Sequence, residues 1–280
     1  MSTKRCIIVV GPTAAGKTAE AIRIAKEYNT AIISADSRQC YKELNIGVAR
    51  PSPEELATVK HYFIANHSVT EKITAATFEQ EALEYLEQIF SQHDVAVVCG
   101  GTGLYIKALA EGLDNIPEIP DEIRDEVIGV YENEGIDVLR KKLLSLDPDF
   151  SEKGDISNPN RMMRALEVFL HTRTPIHQFQ TGTKIKRSFE ITYHIVNPTR
   201  EILYTRINER VDQMITLGLE DEARSLIQYK NLAALQTVGY KEMFDFIEGG
   251  LTKSEAIEKI KQHTRNYAKR QITWFNKFAI

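Results

Sequence analysis

The chain has 280 residues, 42% of them hydrophobic and 26% charged, and a formal net charge of −4. That length suits one large α/β domain or a core with a second lobe, and it can bury a sizeable apolar interior. A slightly acidic average excludes a polycation, so any nucleic-acid binding must come from local patches. Apolar runs of about five residues exclude a membrane-spanning helix.

The N-terminal residues Met-Ser-Thr-Lys-Arg lead straight into the apolar run Cys6-Ile-Ile-Val-Val10, which predicts a buried strand and no secretory signal. Gly11-Pro-Thr-Ala-Ala-Gly-Lys-Thr18 follows and fits the phosphate-loop pattern G-x-x-x-x-G-K-[ST] shared by nucleotide-binding proteins, with a helix expected over 17–28. The turn's N–H groups and the positive end of that helix make a concave site for phosphate oxygens. Lys17 adds a point charge, and the Thr18 hydroxyl can hold a magnesium ion. A second strand, Ala31-Ile-Ile-Ser-Ala35, ends in Asp36. A carboxylate there has no packing role. It suits a magnesium ligand, a base acting on a substrate beside the phosphates, or a turn cap.

An irregular stretch is expected around Pro51 and Pro53, then a short strand near His61-Tyr-Phe-Ile64. Thr77 and Gln80 read as a capping box opening helix 77–92. Strand Val95-Ala-Val-Val-Cys99 ends in Gly100-Gly-Thr-Gly103, where backbone can approach a ligand closely and Thr102 can hydrogen-bond at a helix start. No acid follows that strand, which weakens a reading as an ATP-driven motor or switch.

Residues 114–121 form an exposed connector, and 121–146 and 159–173 read as helices, with Pro159 opening the second. A basic loop, Gly182 to Arg187, precedes the strand Ile191-Thr-Tyr-His-Ile-Val196. Helices are expected over 199–216, 219–229, 239–248 and 253–276. The architecture predicted is α/β: a parallel phosphate-loop core of residues 1–113 and 189–280, with a helical lobe, 114–188, inserted between. Arg206 and Arg210 share a helix face after the returning strand, from which either can reach departing phosphate charge. The last helix stacks Lys261, Arg265 and Lys269, with Arg270 adjacent. RNA phosphates would offset their mutual repulsion, and a solvated face is the alternative. Cys6, Cys40 and Cys99 form no CxxC pair, as expected of free thiols in a cytoplasmic protein.

Several segments together resemble the bacterial tRNA dimethylallyltransferases, also called tRNA isopentenyltransferases. They are Gly11–Thr18, Asp36-Ser-Arg-Gln-Cys-Tyr41 with Ile46-Gly47, Gly100-Gly-Thr-Gly-Leu-Tyr105, Arg161-Met-Met-Arg-Ala-Leu-Glu167, Val238-Gly-Tyr-Lys-Glu242 and Tyr267-Ala-Lys-Arg-Gln-Ile-Thr-Trp-Phe275. The resemblance implies transfer of a dimethylallyl group from dimethylallyl diphosphate to N6 of the adenosine 3′ of the anticodon, in tRNAs reading codons that begin with U. It implies a need for Mg2+, a lobe that embraces the anticodon stem-loop, and a cytoplasmic enzyme acting as a monomer away from membranes. Catalytic roles fall to Asp36, Lys17, Thr18 and Arg206, with residues 11–18 (Gly11, Pro12, Thr13, Ala14, Ala15, Gly16, Lys17, Thr18) on the diphosphate and Thr18 on the metal. Contacts with tRNA fall to Asp36, Ser37, Arg38, Gln39, Thr102, Arg124, Asn160, Arg161, Met162, Met163 and Arg164, joined by Lys269 and Arg270 of the basic helix. The chain departs from the family pattern at Leu44-Asn-Ile-Gly-Val-Ala-Arg50, where Met-Asp-Ile-Gly-Thr-Ala-Lys is usual, and at Asn158, where Asp is common.

Overall fold

The structure, a computed structural model, describes residues 3–278. The apolar run after Arg5 forms β1 (Arg5–Val10), and α1 (Lys17–Glu27) follows the phosphate loop. Next come β2 (Ile32–Ser34), α2 (Pro53–Thr58), β3 (His61–Tyr62), α3 (Ala75–Phe90), β4 (Val95–Gly100) and α4 (Gly103–Glu111). Then follow α5 (Asp121–Leu146), α6 (Phe150–Lys153), α7 (Pro159–Thr172), α8 (Ile176–Phe179) and β5 (Glu190–Ile195). The chain closes with α9 (Arg200–Thr216), α10 (Leu219–Ser225), α11 (Tyr240–Ile247) and α12 (Lys253–Phe278).

The five strands form one parallel sheet in the order β3-β2-β4-β1-β5. Strand side chains alternate between faces. Ile8, Val10, Ile33 and Val98 pack beneath α3 and α4 with Phe78, Leu86, Ile106 and Leu109. Val9, Ile32 and Val97 meet Ala21, Ile24 and Ala25 of α1 on the other face. The chain divides into two units, residues 1–112 with 186–280 and residues 113–185. The second has its own core: Val127, Leu139 and Leu143 of α5 against Met162, Leu166 and Val168 of α7. Gly135, at φ 84°, breaks α5 into two helical stretches.

Three local expectations are corrected. The box that opens α3 is Thr74 with Thr77: the Thr74 hydroxyl accepts from the Thr77 N–H at 3.1 Å and Thr77 Oγ1 accepts from the Thr74 N–H at 3.3 Å. The stretch after Pro51 is partly helical, because Ser52 and Glu55 make a reciprocal cap and Pro53 takes the first helical position. The helix expected over 219–229 ends at Ser225, and a 3₁₀ turn spans Ile227–Tyr229.

Candidate active site

Ligands of open parallel sheets bind beyond the carboxyl ends of the strands, and there the loops after β1, β2 and β4 converge. The Ala35 N–H donates to Cys99 O at 2.8 Å and the Thr102 N–H to Ala35 O at 3.2 Å. A Cβ on Gly100 would lie 2.2 Å from Ala35 O, so only glycine lets these strand ends meet.

Two left-handed bends shape the phosphate loop: Ala14 at φ 63° and Gly16 at φ 98°. They turn the chain into α1, whose first residue is Lys17. Lys17 Nζ donates to Pro12 O at 2.7 Å, and the Ala15 N–H donates to the same carbonyl at 3.2 Å. Burial pulls the Lys17 ammonium down to about 8, and the Arg210 guanidinium pushes the same way. Arg210, on α9, donates to Thr13 Oγ1 at 3.2 Å. Burial lowers its pKa too, and the Asp36 carboxylate opposes that effect. Arg206, one turn earlier, reaches the outer side of the loop and donates to Ala15 O at 3.1 Å.

A cavity of about 680 Å³ opens over this loop, lined by Lys17, Thr18, Asp36, Gln39, Arg210 and Gln271 among others. A second, of about 660 Å³, is lined by Asp36, Ser37, Arg38, Thr237, Tyr267 and Arg270 among others. Asp36, Arg210 and Tyr267 belong to both linings, so the carboxylate sits where the two spaces adjoin. Asp36 Oδ1 accepts from the N–H groups of Arg38 (2.9 Å) and Gln39 (3.3 Å), which fixes its direction. Among the described residues Oδ2 accepts no hydrogen bond. The turn-cap reading of Asp36 is therefore true of one oxygen only. Thr102 Oγ1 accepts from the Ser37 N–H at 3.0 Å, which ties the loop after β4 to the Asp36 turn.

Arg124, Asn160, Arg161, Met163 and Arg164 lie in the inserted unit. Glu167, 6% exposed, draws in Arg124 at 3.8 Å and Arg164 at 3.4 Å, while Arg161 pairs with Asp155 at 3.3 Å. Met162 is fully buried in that unit's core, so its side chain packs there and presents no contact surface. On α12 the basic stripe divides. Lys261 pairs with Asp212 at 2.8 Å and Arg265 donates to Asn208 at 2.7 Å, both on α9, whereas Lys269 and Arg270 are exposed. Arg270 lies 5.7 Å from the centroid of the Tyr267 ring.

The residue that sequence reasoning passed over is Gln271, 7% exposed. Its Oε1 accepts from the Thr13 N–H at 2.8 Å and its Nε2 donates to Gly101 O at 2.9 Å, bridging the phosphate loop to the loop after β4. Its one sequence signal was a polar side chain in the segment Ala268-Lys-Arg-Gln-Ile-Thr-Trp-Phe275, at a position that faces inward.

Residues 39–278 match the family model described as IPP transferase. A tRNA dimethylallyltransferase of Cytophaga hutchinsonii is 49% identical over 276 residues, 99% of this chain and 91% of that protein. One from Flavobacterium psychrophilum is 46% identical, over 97% of this chain and 90% of its own. Among solved structures, the full-length tRNA isopentenylpyrophosphate transferase of Bacillus halodurans gives a TM-score of 0.70 at 34% identity, covering 98% of this chain and 87% of that one. A eukaryotic dimethylallyltransferase captured acting on tRNA gives 0.77 at 26% identity, over 98% and 70%.

Proposed function

The chain belongs to the IPP transferase family, and we propose that it moves a dimethylallyl group from dimethylallyl diphosphate to N6 of the adenosine 3′ of the anticodon, in tRNAs reading codons that begin with U. The observation that carries this reading is the position of Asp36, in the lining of both the phosphate-loop cavity and its neighbour. One space takes the diphosphate and the other the base, and the carboxylate stands between them.

As the allylic C1–O bond breaks, negative charge grows on the departing diphosphate. The loop N–H groups, Lys17 and an arginine of α9 stabilise that charge. Arg210 fits this role more closely than Arg206, because it lines the cavity beside Lys17 and Asp36 whereas Arg206 reaches Ala15 O from outside. N6 of adenine is a poor nucleophile, its lone pair being shared with the ring. As the N6–C1 bond forms, Asp36 accepts one proton from N6, so the product amine is neutral and diphosphate leaves. The two fixed bonds to Oδ1 leave Oδ2 as the accepting atom.

The residues present suit Mg2+: the Thr18 hydroxyl and Asp36 carboxylate are hard oxygen donors in one cavity, and the Thr18 hydroxyl makes no hydrogen bond among the described residues. Thr18 would hold the ion, which would neutralise diphosphate charge.

The adenosine must leave its stack to reach Asp36, a cost of about a few kcal/mol that is least in a single-stranded loop. Arg38, Gln39, Thr102, Lys269 and Arg270 in one unit, and Arg124, Asn160, Arg161 and Arg164 in the other, are proposed to hold the anticodon stem-loop. No helix among the described residues is long and apolar enough to cross a membrane; work in the cytoplasm as a single copy is part of the proposed reading. Nucleoside analysis of tRNA incubated with the protein, magnesium and labelled dimethylallyl diphosphate tests the reading. Label on N6-substituted adenosine supports it, and ATP consumption with a small-molecule acceptor in place of tRNA labelling would replace it with a kinase.

A further inference from the structure

We propose that Glu222, far from the phosphate loop in sequence, is a positioning residue for the transfer step, acting on Asp36 through the loop 45–49. The inference rests on the transferase reading above. Glu222 Oε2 accepts from the N–H groups of Asn45 (3.2 Å) and Ile46 (2.8 Å), and Oε1 accepts from the Gly47 N–H (2.9 Å) and the Tyr240 hydroxyl (2.5 Å). One carboxylate thus satisfies three consecutive backbone donors of an irregular loop and a buried phenol. Hydrogen bonds to a charged acceptor are about twice as strong as neutral ones. Tyr240 is fully buried, and a Cβ on Gly47 would lie 2.6 Å from its ring, so the loop is also seated on the tyrosine.

What this loop carries gives Glu222 its consequence. Val48 and Ala49 belong to the walls of both cavities. Their carbonyls accept from Gln39 Nε2 at 3.3 and 3.1 Å, and the Gln39 N–H donates to Asp36 Oδ1. At the other end Arg50 donates to Tyr41 O and Lys42 O, at 2.7 and 3.0 Å, which closes the loop on itself. An unbroken series of hydrogen bonds and one short stretch of backbone therefore runs from Glu222 through the shared wall to the carboxylate that receives the proton. The phosphate loop takes no part in it. Loss of Glu222 should therefore disturb the transfer geometry and the wall that the cavities share, and change diphosphate affinity far less, because the phosphate loop itself holds the diphosphate.

Glu222→Gln, Glu222→Ala and Tyr240→Phe separate this from a role in stability alone. Glutamine has one acceptor oxygen and can keep only one of the two donor pairs, and Tyr240→Phe removes a single bond and keeps the ring against Gly47. For each variant, kcat, KM for tRNA, the Kd of inorganic diphosphate and the melting temperature are measured beside the wild type. Glu222→Ala is expected to lower kcat by about 100-fold, the scale of a displacement of about 1 Å at reacting atoms, with diphosphate Kd changed far less. Glu222→Gln should lie between alanine and wild type, Tyr240→Phe should lose least, and the double variant should lose less than the product of the two. Variants that melt lower but keep wild-type kcat and KM would overturn the proposal. So would a diphosphate Kd that rises in step with the fall in kcat. A wild-type protein that leaves tRNA unlabelled would strike at the transferase reading instead, since these variants are compared only against an active parent.

Discussion

Lys17 offers the most direct quantitative test of the site. Burial and the nearby Arg210 guanidinium bring its ammonium from 10.5 down to about 8. Cys99 and Asp36 act in the other direction, but the Cys99 thiol is itself pushed up to about 11 by burial and is neutral where Lys17 titrates. A diphosphate in the loop adds a strong anionic partner, so the bound form holds its proton to higher pH. Affinity for dimethylallyl diphosphate should then be level below pH 8 and weaken about tenfold per pH unit above it. If binding returns the ammonium to 10.5, the full span is about 300-fold, or roughly 3.4 kcal/mol. Calorimetric titration from pH 6.5 to 9.5 at constant free magnesium reads this out, with the ligand fully ionised over most of the range because a second phosphate pKa lies near ~6. Lys17→Met should bind weakly with no inflection near pH 8. Affinity flat to pH 9.5 in the parent protein would refute the argument. In the ligand-free protein the unfolded chain keeps the Lys17 proton up to 10.5 and the folded one gives it up near 8, so this group makes stability rise with pH across that window.

Asp36→Asn retains an acceptor for the Arg38 N–H, so folding should survive, while kcat falls about a hundredfold or more and tRNA affinity changes less; normal turnover in that variant would remove Asp36 from the chemistry. Gln271→Leu orphans the Thr13 N–H and Gly101 O, at about 1–3 kcal/mol each. A thermal melt should fall by about 4 °C or more, and an unchanged melt would mean that water replaces the bridge without loss. Lys269→Ala and Arg270→Ala should each flatten the salt dependence of tRNA binding by about one. Lys261→Ala, which removes the partner of Asp212, should leave that slope alone; the reverse pattern would move the RNA contact up the helix.

The parts of this protein that could be read from its sequence are those whose signal is local. Five apolar residues in a row before a glycine turn specify a strand, a turn and a helix within a dozen positions, and Asp36 stood out because a carboxylate ends a buried strand. The sheet of parallel strands and the helix-rich remainder follow from the same short-range periods. Capping was less legible: Thr74, Thr77 and Gln80 all suit a helix start, and only backbone geometry selects Thr74. What stayed hidden depends on partners distant in sequence. Gln271 acquires its role from Thr13 and Gly101, and Glu222 from the loop at Asn45, and no spacing within either helix records those neighbours. Lys261 and Arg265 looked like part of one charged stripe with Lys269, yet Asp212 and Asn208 of α9 draw them inward. Arg206 and Arg210 share a face in sequence, and one turn of helix separates the cavity from the outer side of the loop.

The bridge made by Gln271 also bears on how the protein is born. The phosphate loop leaves the ribosome 258 residues ahead of the glutamine that fastens it, a delay of about 13–50 s at common bacterial elongation speeds of about 5–20 residues per second. Over that interval the nascent chain can form its first strands while the Thr13 amide and the Gly101 carbonyl wait on water. A ribosome stalled just short of codon 271 would therefore display a nearly complete sheet whose anion cradle is still unlatched.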